Sequence, residues 1–391
     1  MESKNNKDSD KSMVNVPESK AAKNRIKQKP ITIGGITVEP GTHETIDVPL
    51  APMYTHNDVK MTLHVINGRY EGPTLFVNAA IHGDEINGVE VIRRVLKLKQ
   101  INRIRGTLIA IPIVNVYGFL NNSRYLPDGR DLNRSFPGSP KGSLASRIAH
   151  TFLNEIILKC THGIDLHTGA RHRGNLPQIR ADLSNPNVEK LAKAFGVPVV
   201  IDSKIRDGSL REMGDNEGIP ILLYEAGEAL RFDELSIGAG VRGIVNVMRE
   251  IDMLPPKTTP SKKSVSAEKN KKESKKRETI VSKKTNWIRA PYSGILRALV
   301  PLGAKVEKGN VLGLIGDPLG TYEYEVTADH DGIVIGRTFL PLIHEGEAVF
   351  HIAHYAKKME KIFDQVEEFH EEFGTEVLLE APDNPQDAPI Q

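Results

Sequence analysis

The stretch GPTLFVNAAIHGDEINGVEVIRRVLKL, residues 72–98, decides the fold. Its first half, 72–83, is an apolar run without polar alternation, as expected of a strand buried on both faces. Its second half puts Ile86, Val89, Ile92, Val95 and Leu96 on one helical face. Between them stands His82-Gly-Asp-Glu85, at the turn from strand to helix. Ligands of open α/β sheets sit beyond the carboxyl ends of the strands, so His82 and Glu85 are expected at one spot in a cleft.

The same texture continues on both sides. Ile31 to Val38 reads as one short strand closed by Pro and Gly, and 59–68 as an alternating strand ending on Asn-Gly. Residues 106–115 form a second buried strand. Residues 142–158 form a helix with Leu144, Ile148, Phe152 and Ile156 in one stripe. Then come a strand at 163–167, a helix at 185–196 opened by Asn and stopped by Gly, strands at 198–202 and 219–227, and a helix at 238–251. Such alternation means an α/β domain over 31–254, a mixed, mostly parallel sheet flanked by helices.

Outside it the composition changes. The chain of 391 residues has a formal net charge of +2, but the charge is segregated. Residues 1–29 carry +4, 255–286 carry +8 and 355–391 carry −7, which leaves −3 for the rest. The first 30 residues read as a disordered tail, 255–286 as a Lys-rich linker and 355–391 as an acidic helical tail. The basic strip is almost without aromatic residues, so a solvated linker is expected and nucleic acid is not an expected partner. One cysteine, Cys160, excludes a disulfide framework and a thiolate metal cluster, and reads as a packing residue. No apolar run reaches membrane-spanning length and no leader is visible, so a cytoplasmic protein with no membrane partner is expected.

The chemistry starts at His82 and Glu85. Both suit zinc, and a catalytic zinc takes three protein ligands with one position left open. His167, in IDLHTG at another strand end, is the expected third ligand. Asp165, two residues earlier, is expected on the other side of the strand. His172 lies near the site and is left open.

The ordered set HGDE, DLNRSFPG (131–138), DLHTG (165–169) and EAG (225–227) resembles the succinylglutamate desuccinylase/aspartoacylase family, within the zinc carboxypeptidase-like superfamily. The resemblance covers about 50–254. It implies one zinc per chain held by His82, Glu85 and His167, with Glu225 as general base in preference to Glu228. It implies that Asn133 and Arg134 hold a substrate carboxylate, with Arg211 as a second such group. Arg124, or else Arg130, would polarise the scissile carbonyl. Arg171, Arg173 and Arg180 add to an Arg-rich pocket, which favours an anionic N-acyl amino acid as substrate.

From Trp287 the texture is short strands between Gly, Pro and Asp turns, a small all-β barrel-sandwich over 287–354. Its spacing resembles biotinyl/lipoyl-type domains. GTYEYEV (320–326) stands where a modifiable Lys is expected, so no attachment is inferred and a role at the active-site rim or in oligomer contacts is expected. The leading reading is a zinc-dependent amidohydrolase acting on an N-acyl amino acid. The rivals are a zinc metallocarboxypeptidase, whose pocket would be open, and a non-catalytic binding protein with a degenerate site.

Overall fold

The computed structural model describes residues 26–52, 55–257, 280–355 and 363–372. Residues 1–25 of the expected tail, most of the linker and most of the acidic end lie outside them, whereas Lys27 of that tail forms a β-bridge with Tyr70.

A small hairpin opens the chain, β1 (Ile31–Ile33) and β2 (Ile36–Val38). The single strand expected there is broken by Gly34 and Gly35, both at positive φ, which turn it back on itself. The α/β domain then runs through β3 (Thr42–Pro52), β4 (Asp58–Asn67), β5 (Thr74–Ala79), α1 (Asn87–Lys97), β6 (Thr107–Ile111), α2 (Val116–Leu120) and α3 (Leu144–Glu155). It continues with β7 (His162–Gly169), β8 (Arg173–Ala181), α4 (Pro186–Phe195), β9 (Val199–Asp202), α5 (Leu210–Asn216), β10 (Ile221–Glu228) and α6 (Glu234–Glu250).

The apolar run at 72–83 behaves as its composition requires. Leu75, Val77 and Ala79 of β5 pack on one side of the sheet with Val91, Ile92 and Val95 of α1. Phe76 packs on the other side with Ile148 and Phe152 of α3. Helix α4 is capped by the Asn185 side chain and ends at Gly196 in the left-handed region, as its sequence signals predict.

Strand β3 was not foreseen in the sequence, and two further strands depart from expectation. Strand β8 was not foreseen, because Arg173-Gly-Asn-Leu-Pro-Gln-Ile-Arg has neither an apolar run nor clean alternation. It pairs with β10 on one side and with β9 on the other. Its Pro177 sits where the β8–β10 register shifts between the Gln178–Glu225 and Asn175–Gly227 pairs, a bulge at which a missing N–H costs the ladder little. The second departure is the end of the expected linker. Ile280–Ser282 is a strand, β11, pairing in parallel with β9.

The C-terminal unit follows with β12 (Thr285–Arg289), β13 (Gly294–Ala298), β14 (Lys305–Val306), β15 (Val311–Gly316), β16 (Glu323–Thr327), β17 (Gly332–Thr338), β18 (Leu342–Ile343) and β19 (Ala348–His354). Its four-stranded sheet β16-β15-β13-β18 packs over an apolar core that includes Ile288, Leu312, Ile315, Val334 and Phe350. It is joined to the α/β domain by backbone. Strand β17 pairs antiparallel with β8, so the main path of one 13-stranded sheet runs from β12 through β19, β17, β8, β10, β7, β5, β6 and β4 to β3, with β9, β11 and β14 paired beside it. A separate apolar cluster seals the seam, with Leu176, Val199 and Ile201 against Ile333, Ile335 and Ala353. The helix over 363–372 adds Val366 to that seam.

Candidate metal centre and its pocket

Strand β5 ends in a forced turn. Ala80 holds φ of 49°, a conformation costly for a residue with a Cβ, and the chain swings from the sheet into His82. A Cβ at Gly83 would lie 2.0 Å from the carbonyl carbon of Gly118, so only glycine lets this turn pack on α2. Glu85 N–H then bonds back to the His82 carbonyl at 3.1 Å.

His82, Glu85 and His167 come together as expected. All three are buried, and one donor atom from each lies within 4.8 Å of the others. The Nδ1 atoms of His82 and His167 each lie 2.8 Å from a different oxygen of Glu85. Both Nε2 atoms face away from that point and donate to carboxylates, His82 to Asp131 at 3.1 Å and His167 to Asp165 at 2.8 Å. Such outer carboxylates fix ring orientation and leave Nδ1 as a lone-pair donor.

The expected position of Asp165 is corrected here. Side chains two apart on a regular strand share a face, so Asp165 lies beside His167 rather than opposite it. Its other oxygen accepts from Asn78 at 2.7 Å, across the β5–β7 pairing.

Opposite charges are concentrated at this point. Burial opposes charge on Glu85, yet His82 and His167 outweigh it and hold the carboxyl well below its usual range. Asp131 is likewise lowered against its burial by His82 and Arg124. Burial lowers His82 and His167, but the neighbouring acids pull both upward. Three buried or half-buried carboxylates around two imidazoles, with converging Nδ1 donors, fit a divalent metal held by three protein ligands.

Around this centre lies a cavity of about 600 Å³. Arg124 lines it, donating to Asp131 at 2.9 Å and to Glu85 at 3.1 Å. Arg130 is exposed and does not line it. Asn133, Arg134 and Arg211 all line it, as does Glu225. The Asn133 Oδ1 accepts from Leu210 N–H at 2.9 Å, so this side chain also anchors α5. Arg211 donates to the Lys204 carbonyl at 3.2 Å, and burial, then the charge of Arg180, depress its guanidinium.

Glu225 is set by strand pairing, beside His167 on β7 and opposite Gln178 on β8. Asn175 donates to its carboxylate at 2.7 Å. Glu228 belongs to the same strand and accepts from His172 N–H at 3.0 Å, away from the cavity. His172 and Arg171 are exposed outside the cavity, whereas Arg173 and Arg180 line it. Cys160 is buried as a packing residue.

The cavity also holds residues that sequence reasoning passed over. Lys204 and Arg206 come from the loop after β9, and Thr285, Trp287 and His351 come from the C-terminal unit. The strand β8, unread in the sequence, was the missing signal for Asn175.

Residues 71–251 match the sequence model of the succinylglutamate desuccinylase/aspartoacylase catalytic domain. Over these residues the chain resembles that family's catalytic domain. A curated relative, the N-alpha-acetyl-L-2,4-diaminobutyric acid deacetylase of Halomonas elongata, is 25% identical over 302 residues, 74% of this chain and 85% of its own. Among solved structures, an ectoine utilization protein from Ruegeria pomeroyi in product-bound form is 24% identical with a TM-score of 0.67, covering 80% of this chain and 95% of its own. A succinylglutamate desuccinylase/aspartoacylase from Rhodobacter sphaeroides is 23% identical with a TM-score of 0.65, covering 79% of this chain and 95% of its own. These likenesses extend the shared fold well past the catalytic domain into the barrel. No helix among the described residues is long and apolar enough to cross a membrane.

Proposed function

We propose that this chain is a zinc-dependent amide hydrolase that deacylates a small, carboxylate-bearing N-acyl amino acid. The observation that carries the reading is the convergence of His82, Glu85, His167 and Glu225 on one cavity lined by arginines. The related deacetylase breaks the same class of bond.

His82, Glu85 and His167 would hold the zinc, which supplies Lewis acidity at the scissile carbonyl. Glu225, steadied by Asn175, takes a proton from the attacking water and passes it to the leaving nitrogen. Arg124 donates to the carbonyl oxygen as charge builds there. Arg134 offers a planar fork to the substrate carboxylate, with Asn133 beside it and Arg211 as a further cation.

A carboxypeptidase needs room for a peptide running out of the site. Here Thr285, Trp287 and His351 line the cavity, which favours a small substrate. A degenerate binding protein would lack a ligand or a base, and all are present.

The test is hydrolysis of a panel of N-acetyl and N-succinyl amino acids by the zinc-loaded protein. The expected result is turnover of acidic members of the panel, and a fall of about 100-fold or more in kcat for Glu225→Gln with metal content unchanged. Glu228→Gln should lose far less. No turnover of any member, or a larger loss in Glu228→Gln, would sink the assignment.

A further inference from the structure

The small β domain is a two-sheet sandwich whose outer faces have different fates. The sheet of β12, β19 and β17 continues into the α/β domain, and its Trp287 and His351 line the cavity. The four-stranded sheet β16-β15-β13-β18 lies across the apolar core, with Leu296, Ile315, Val326 and Ile343 turned into that core. The alternate residues of its strands therefore face outward. Strand pairing sets them in two rows. One row holds Arg297 of β13, Leu314 of β15 and Glu325 of β16. The other holds Leu342 of β18, Ile295 of β13, Gly316 of β15 and Glu323 of β16. Ile295 is 40% exposed and Leu342 70%. Arg297, Glu323 and Glu325 are exposed too, and none of them has an ion-pair partner among the described residues. Most of the exposed large apolar and aromatic side chains among the described residues lie between Tyr292 and Leu342, so this domain carries a concentrated apolar surface.

Contiguous exposed apolar surface rimmed by charge marks an interaction site. Here the charges are sorted by sign. Arg297 stands on β13 and both glutamates on the edge strand β16, with Leu314 and Gly316 of β15 between them. We propose that this outer sheet face is a dimer interface, and that its occupant is the same face of a second copy of this chain. The order of charges is self-complementary about one axis. A two-fold axis along β15 lays the sheet face down on its copy, brings β13 over β16 and keeps each row level with itself. Leu314 then meets Leu314 of the partner subunit, and Gly316 offers no side chain to hold the sheets apart. Arg297 comes opposite Glu325 of the partner subunit, twice per dimer. Ile295 covers the aliphatic stem of Glu323 of the partner subunit. An axis across the strands would instead set Glu323 against Glu325 of the partner subunit, and like charges oppose it. The cavity is lined from the other sheet, so this contact leaves both cavities unobstructed.

The test is sedimentation velocity of the full-length protein over a wide range of concentrations. Wild type should sediment as a dimer that dissociates on dilution. Arg297→Glu sets an acid against Glu325 of the partner subunit and should raise the dissociation constant by about 10-fold or more. Arg297→Glu combined with Glu325→Arg exchanges the two charges and should recover wild-type association. Leu314→Glu puts two acids at the axis and should give a monomer throughout. All of these side chains lie on the outer face, so circular dichroism and the thermal midpoint of each diluted variant should match those of diluted wild type. A wild type that is monomeric at every concentration would overturn the proposal. So would a dimer that survives both Arg297→Glu and Leu314→Glu, since it forms through another face. A double exchange that fails to recover what Arg297→Glu lost would overturn the assigned axis and the proposal with it.

Discussion

The two walls of the cavity are built in opposite ways. The α/β wall takes His82 and Glu85 from one four-residue turn and His167 from the end of a neighbouring strand. The barrel wall brings Trp287 and His351 to Arg173 from the far end of the chain, through the pairing of β17 with β8. Local geometry writes a metal site into a short motif. A cavity wall made by sheet continuation has no motif, because its members meet only after the fold is complete. The walls should therefore fail differently: the first in chemistry, the second in recognition and stability.

The sharpest break is at the first wall. His82→Ala and His167→Ala each remove one of the two imidazoles that share the buried Glu85 carboxylate. Metal analysis of either purified variant should show near-complete loss, while wild type should carry one ion per chain. Stoichiometric metal in a variant would take that residue out of the ligand set. A mutation at the second wall, such as Trp287→Phe, should leave metal content unchanged.

This contrast also explains what was legible in the sequence. Strand β5 and helix α1 were readable because a doubly buried strand must be apolar throughout and a half-buried helix must show its period. The candidate metal donors were readable because they sit at the strand ends that such a sheet exposes to a ligand. Strand β8 was not, since its cavity-facing residues Arg173, Asn175 and Arg180 are polar and Pro177 sits inside it. A strand that lines an active site loses the apolar pattern that would reveal it. The barrel was readable as a texture, but its fusion to the sheet was not, because β17 and β8 meet only through long-range pairing.

The next test probes the carboxylate grip between the two walls. Arg134→Lys keeps the charge and loses the fork. A charge-assisted hydrogen bond contributes roughly 1.5–3 kcal/mol, so kcat/KM for carboxylate substrates should fall by about 10- to 100-fold. Amidating that carboxylate should cost the parent a similar factor and the variant little. If the parent hydrolyses the neutral amide as well as the acid, the arginine is not a substrate group.

The smallest expected effect belongs to the barrel wall and is read as stability. His351 is held neutral by burial and by Arg180, with His354 adding to the same repulsion, and its pKa is pushed down to about 3. In the unfolded chain it would titrate near the ordinary value of about 6.5. Between those values the unfolded state binds the extra proton, so the contribution is fully present above about 6.5 and is lost as pH falls toward 3. For one such group the loss between pH 6.5 and 5.5 is roughly 1 kcal/mol. His351→Gln cannot take up that proton, so its denaturation midpoint should fall less steeply than that of wild type over this range. Other buried histidines contribute to both proteins equally, so the difference between the two slopes isolates His351. Parallel slopes would mean that the imidazole finds a charged state it can tolerate in the folded protein, and that the wall beside Arg173 is more open to water than its burial indicates.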